Sequence, residues 1–189
     1  MSIILGPDAK VIGADPNRYQ EGVYFLARTI ERILSLAFFY HRLTDQLTSG
    51  CLSGIEYEQA RYSHIACHSM IVVDLDKLVD QKKAAWSFDQ LFKEWKRYEH
   101  NQEKQSTVHA AIADLEGKLA ASTDYRNEKV AHQSKKIQMT EWNALPRKIK
   151  HLQEIVEVMD MFVASPIPYT LYLHDTSEEL DLRDLTGLT

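Results

Sequence analysis

Apolar residues in the first third of the chain recur at helical spacing. From Val23 they fall at Leu26, Ala27, Ile30, Ile33, Leu34 and Ala37, steps that put one stripe on one helix face. Asp15-Pro16 upstream reads as the start of that helix, because Asp caps open N–H groups and Pro suits the first helical position. Ser49-Gly50 reads as its end, with Gly able to take the left-handed cap. Residues 1–14 show no periodicity. Ser53-Gly54-Ile55-Glu56 has the spacing of a capping box and opens a second helix, with Cys67, Ile71, Leu75 and Leu78 as its inner stripe.

A polar link at Asp80–Lys83 follows. Ser87-Phe88-Asp89-Gln90 is a second capping box, and Phe88, Leu91, Phe92 and Trp95 should face inward after it. Lys96–Thr107 is almost wholly polar, which predicts a break or a solvent-crossing extension around Gln102–Ser106. Val108, Ala111, Ile112, Leu115 and Leu119 then restore the stripe. Ser122-Thr123-Asp124 either caps a new turn or lies within a continuing helix. In the last helix Leu145, Ile149, Leu152, Val156, Met159 and Val163 alternate steps of four and three, with Pro146 in the first turn and Asn143 as the cap. Ser165-Pro166-Ile167-Pro168 should stop it, and Tyr169–Leu173 alternates as a short strand. The pattern predicts an all-α fold: an antiparallel bundle of four to five helices over residues 15–164, an N-terminal extension over 1–14, and a Pro-containing, acidic appendage over 165–189.

Composition agrees. Gly (7) and Pro (5) are scarce among 189 residues, which argues against a barrel or sandwich with many tight turns. The only cysteines are Cys51 and Cys67, so a disulfide framework is excluded and a reducing, cytoplasmic setting is expected. The opening residues lack the basic start and apolar run of a signal peptide. The most apolar long window, Val23–Tyr40, contains Arg28, Glu31 and Arg32 and should not span a membrane. The net charge of −5 hides an asymmetry. Residues 125–151 hold Arg126, Lys129, Lys135, Lys136, Arg147, Lys148 and Lys150 against Glu128 and Glu141, a local +5 that leaves −10 for the rest.

Motifs for phosphate loops, CxxC or HExxH metal sites and GxSxG nucleophiles are absent from the sequence. His64 and His68 share a helix face beside Cys67, the spacing of a partial metal site, but no motif supplies a fourth ligand. The simpler reading is a buried Cys beside partly exposed histidines. His100 and His109 read as surface residues. Asp74, Asp76 and Asp80 interrupt the most apolar part of the second helix, where a buried acid needs a partner; Asp80 suits a cap.

The basic window opens with Tyr125-Arg126-Asn127-Glu128-Lys129-Val130-Ala131-His132. Arg126-Asn127-x4-His132 resembles the Arg-x4–6-His signature of the HEPN superfamily, small helical bundles of which many are metal-independent ribonucleases. The polar residue directly after the Arg belongs to that signature. Ser69–Asp80 (SMIVVDLDKLVD) followed by Ser87–Phe92 (SFDQLF) is similar to the abortive-infection AbiU-like branch, so the resemblance covers roughly residues 60–160. It implies Arg126 and His132 as catalytic residues with Asn127 in support, RNA as substrate, a homodimer whose two motifs face one cleft, a toxin or antiphage role, and a cognate antitoxin as a partner. Several toxins of the family carry a modifiable Tyr two residues after the His; here that residue is Ser134.

The residues suit the chemistry in their own right. An imidazole titrates near neutrality and can take the proton from an RNA 2′-OH. A guanidinium answers the charge that gathers on the phosphate oxygens. Lys129, Lys135 and Lys136 can hold the flanking backbone, and the reaction needs no metal or other cofactor. On a regular helix residues six apart point about 120° from each other, so Arg126 and His132 would need a bend or a second copy to converge. Two other readings fit the residues: a non-catalytic dimer that binds RNA or nucleotide, and an interaction module in which Arg126 pairs with Asp124, His132 caps a helix end and the acidic tail docks a partner.

Overall fold

Helix α1 runs from Pro16 to Thr48, 33 residues and about 50 Å long. The structure, a computed structural model, describes residues 16–80, 86–125, 151–173 and 178–184. The α1 stripe is buried as its spacing predicts: Val23, Leu26, Ile30, Ile33, Leu34 and Ala37 are sealed from solvent and Ala27 is partly so. Gly50 follows in the left-handed region at φ 68°. Helix α2 (Gly54–Val79) buries Ile71, Leu75 and Leu78. Its start is as predicted, but the Ser53 side chain makes no capping hydrogen bond. Gly54 sits at φ 52°, so the chain enters α2 through a left-handed residue rather than under a hydroxyl cap.

Helix α3 (Phe88–Trp95) does use its cap, Ser87 Oγ accepting from the Gln90 N–H at 3.4 Å, and it buries Phe88, Leu91, Phe92 and Trp95. The break lies earlier than the polar stretch predicts. Lys96–Tyr98 forms a turn, and helix α4 (Gln102–Tyr125) already includes Gln102–Ser106. Asn101 causes this: its Oδ1 accepts from the Lys104 N–H at 3.1 Å, while Glu99 Oε1 accepts from the Asn101 N–H at 3.0 Å. Ser122-Thr123-Asp124 lies inside α4.

Helix α5 (Leu152–Asp160) buries Leu152, Val156 and Met159; Asn143, Leu145, Pro146 and Ile149 lie outside the described residues. It stops at Asp160, well before Ser165. The N–H groups of Met161, Phe162 and Val163 turn back to carbonyls three residues earlier. That tight turn brings Phe162 inward, stacked on Phe88 at 6.3 Å and edge-on to Trp95 at 5.6 Å. The Tyr19 hydroxyl donates to the Phe162 carbonyl and joins this turn to α1.

Among the described residues the architecture is five helices and one two-stranded sheet. α1 and α2 are antiparallel, since Arg32 meets Asp74 and Thr44 meets His64. α3 packs on α1, α4 on α2, and α5 on both α1 and α4. α5 is antiparallel to α4: Lys118 meets Glu154, and Val108 and Met161 share one groove. Tyr125 and His151 therefore lie at the same end of the bundle. No described helix is long and apolar enough to cross a membrane.

Strand β1 (Thr170–Leu173) pairs antiparallel with β2 (Glu178–Asp181), Thr170 opposite Asp181 and Leu173 opposite Glu178. The sequence pattern indicates β1 but not β2, whose acids mask a pairing made through the backbone. The hairpin is part of the core: Ile167, Tyr169 and Leu182 are buried with the helices. Arg183 anchors it, donating twice to Asp160 at 2.8 and 2.9 Å and once to the Ile167 carbonyl at 2.9 Å, with its guanidinium 5.3 Å from the Tyr169 ring. Arg183→Ala is expected to cost about 1–3 kcal/mol in urea unfolding. Amide exchange should then quicken in β1 and β2 while α1 and α2 keep their protection.

Candidate functional site

Arg126, Asn127, Lys129, His132, Lys135 and Lys136 lie outside the described residues. In the chain they fall between α4 and α5, whose facing ends are described. Lys118, two turns before the end of α4, bridges Asp114 at 2.6 Å and Glu154 of α5 at 2.9 Å. Glu154 in turn takes His151 Nδ1 at 2.9 Å. His151 occupies the N-cap position of α5 with its backbone in the right-handed region, and its side chain is 24% exposed. Burial alone would push the Glu154 carboxyl up, but the hydrogen bonds from Lys118 and His151 outweigh it and hold the group below its usual range. The result is a chain of polar contacts, Asp114–Lys118–Glu154–His151, between α4 and the start of α5. The sequence signal for it is His-x-x-Glu at a helix start, which the apolar stripe of the same helix hides.

A second polar constellation lies on the α1–α2 seam. Asp74 is 3% exposed and takes Arg32 through two bonds, Nε at 2.5 Å and Nη2 at 2.6 Å, plus Lys77 at 2.8 Å. The buried acid thus has the partner that burial requires, contributed from 42 residues away. Asp76 is buried as well, and Asp80 is the C-cap residue of α2. Asp74 is held as an ion-pair anchor between two half-exposed cations, an arrangement that serves structure rather than proton transfer.

About three turns back along α2 from Asp74, the His64 ring stacks on Tyr40 at 4.1 Å. Thr44 has one hydroxyl proton, which it gives to the Tyr40 carbonyl at 2.8 Å, so its oxygen accepts from His64 Nε2–H at 2.9 Å. His64 is partly exposed, as expected, but His68 is buried at 4% exposure and Cys67 is only half-buried. The reason is register: His68, not Cys67, shares its face with both Val72 and Leu75. Burial pushes the Cys67 thiol up and so disfavours its reactive thiolate. Among the described residues no group of three or more His, Cys, Asp and Glu comes together to hold a metal ion. His100 and His109 are exposed, as their sequence setting suggests.

Burial lowers the His64 pKa from its ordinary 6.5. As pH falls below that value the unfolded chain binds a proton that the folded chain refuses, so stability declines on acidification until the lowered folded value is passed. Urea unfolding from about pH 7 to about pH 5 should show this decline, and His64→Gln should flatten it.

No family model, curated protein or solved structure matches the chain.

Proposed function

We propose that this chain is a HEPN-type, metal-independent endoribonuclease, a toxin or antiphage effector of the abortive-infection kind, acting as a homodimer. The observation that carries the reading is Arg126-Asn127-x4-His132 inside a +5 segment of a −5 chain, placed between two antiparallel helices of an α-helical bundle. His132 takes the proton of an RNA 2′-OH. The 2′-oxygen bonds to phosphorus as the bond from phosphorus to the 5′-oxygen breaks, and that oxygen leaves with a proton. The products are a 2′,3′-cyclic phosphate and a 5′-OH. Arg126 offsets the charge on the phosphate oxygens, Asn127 orients phosphate or imidazole, and Lys129, Lys135 and Lys136 hold the flanking backbone. A twofold axis would let motifs from two chains face one cleft and double the basic charge along it. A cognate antitoxin that covers the basic segment is the natural protein partner.

Purified wild type should cut labelled RNA in EDTA and leave 2′,3′-cyclic phosphate ends. His132→Ala and Arg126→Ala should each slow cutting by about 10²–10⁴-fold. His132→Ala should keep salt-dependent RNA affinity, because it retains the cations. Salt-dependent binding by a wild type that cuts nothing would favour the non-catalytic RNA-binding reading. Equal cutting by wild type and His132→Ala would contradict the roles assigned here.

A further inference from the structure

The middle of the α1–α2 pair carries no Asp, Glu, Lys or Arg. Ile33–His41 on α1 and Tyr62–Val73 on α2 are both free of them, and Tyr40 lies against His64 and His68, so the two stretches are side by side. The bundle buries one side of them, with Ile33, Leu34, Ala37, Ile71 and Val72 sealed from solvent. The other side faces water. A helix that is apolar round its whole circumference is normally covered on every side.

The outward residues form two adjoining stripes. On α1, Phe25, Arg32, Leu36 and Phe39 are spaced 7-4-3 and share a face. On α2, Tyr62, Ala66, Met70 and Val73 are spaced 4-4-3 and point away from the buried Ile71 and Leu75. Arg32, Met70 and Val73 line one groove of about 330 Å³, which sets the stripes next to each other. Phe39 is 41% exposed and Met70 47%.

We propose that this face of α1 and α2 is a twofold interface, on which a second copy of the chain packs its own α1 and α2. The face supplies a surface for the homodimer proposed above, whether or not that dimer cuts RNA. Charge selects the occupant. In a twofold contact each patch meets its own copy, so any net charge repels itself. The centre of this face has none. The cations at its edge, Arg32 and Lys77, are both bound to Asp74, and Arg28 is paired with Glu31. An apolar centre with paired charges at the rim is the anatomy of a protein–protein interface, whereas RNA binding needs cations turned to the phosphates. The area fits as well. Helix α2 has 26 residues and is about 40 Å long, and two helices side by side are about 20 Å wide, which gives roughly 800 Å². A stable complex covers about that much on each partner.

The test is the mass of the full chain in solution, read by sedimentation equilibrium. Wild type should have the mass of two chains. Phe39→Glu and Met70→Glu each set a carboxylate and its copy in the apolar centre. Each should weaken the dimer at least about 10²-fold, with helical circular dichroism unchanged. Tyr172→Glu, at an exposed aromatic on β1, should leave the dimer intact. Where a carboxylate disturbs folding, the milder Met70→Gln should still weaken the dimer. A wild type with the mass of one chain up to about 100 μM, or a dimer that survives both Phe39→Glu and Met70→Glu, would overturn the interface. A monomer that cleaves RNA would strike this surface and leave the cleavage chemistry standing. A dimer that these substitutions split, yet that cleaves no RNA, would strike the ribonuclease reading and leave the surface.

Discussion

A buried carboxylate at position 74 constrains how α1 lies on α2. The apolar stripes of the two helices are made of residues similar in size, and a slip of one turn would still set apolar against apolar. Asp74 removes that freedom. Slipped by a turn it would lose Arg32, and a buried carboxylate robbed of a partner costs several kcal/mol. With Arg32 bound bidentately and Lys77 closing the other side, one register satisfies charge and packing together. Both cations stay about half exposed, so their own desolvation is small and the arrangement favours register at little cost.

The remaining elements attach to this pair. α3 reaches α1 through Glu94, a buried acid shared by Arg18 at 3.2 Å and Arg97 at 2.5 Å. α5 reaches it through the turn at Phe162, held by Tyr19, Phe88 and Trp95. The C-terminal hairpin closes over α5 through Asp160 and Arg183. With α5 placed by these contacts and tied to α4 by Lys118, Tyr125 and His151 lie at the same end of the bundle.

Most of the bundle was legible because its stripes are long and strictly periodic. Val23 to Ala37 and Val108 to Leu119 admit no other reading, and all but Ala27 and Ala111 are sealed in the core. The misreadings share a cause: a local signal was outweighed by a tertiary one or by a residue of another type. Polar Gln102–Ser106 looked like a break, but Asn101 capped the helix one residue earlier. Ser53 had the right spacing for a capping box, yet Gly54 set the entry geometry. Val163 continued the stripe of α5, but burial of Phe162 ended that helix at Asp160. β2 carries no apolar alternation to betray it. As for the site, the sequence singled out Arg126 and His132 from chemistry and resemblance. It could not pair Arg32 with Asp74 or Lys118 with Glu154, because those contacts exist only once helices distant in sequence are side by side.

The central claim is that RNA meets this protein at the basic segment between α4 and α5. Ultraviolet crosslinking of the full chain to a mixed-sequence RNA, followed by mapping of the attached peptides, tests it most directly. The account predicts crosslinks within residues 126–151 that weaken steeply as salt is raised, because binding there releases counterions from phosphates. Crosslinks confined to the α1–α2 seam or the C-terminal hairpin, or none that respond to salt, would contradict it.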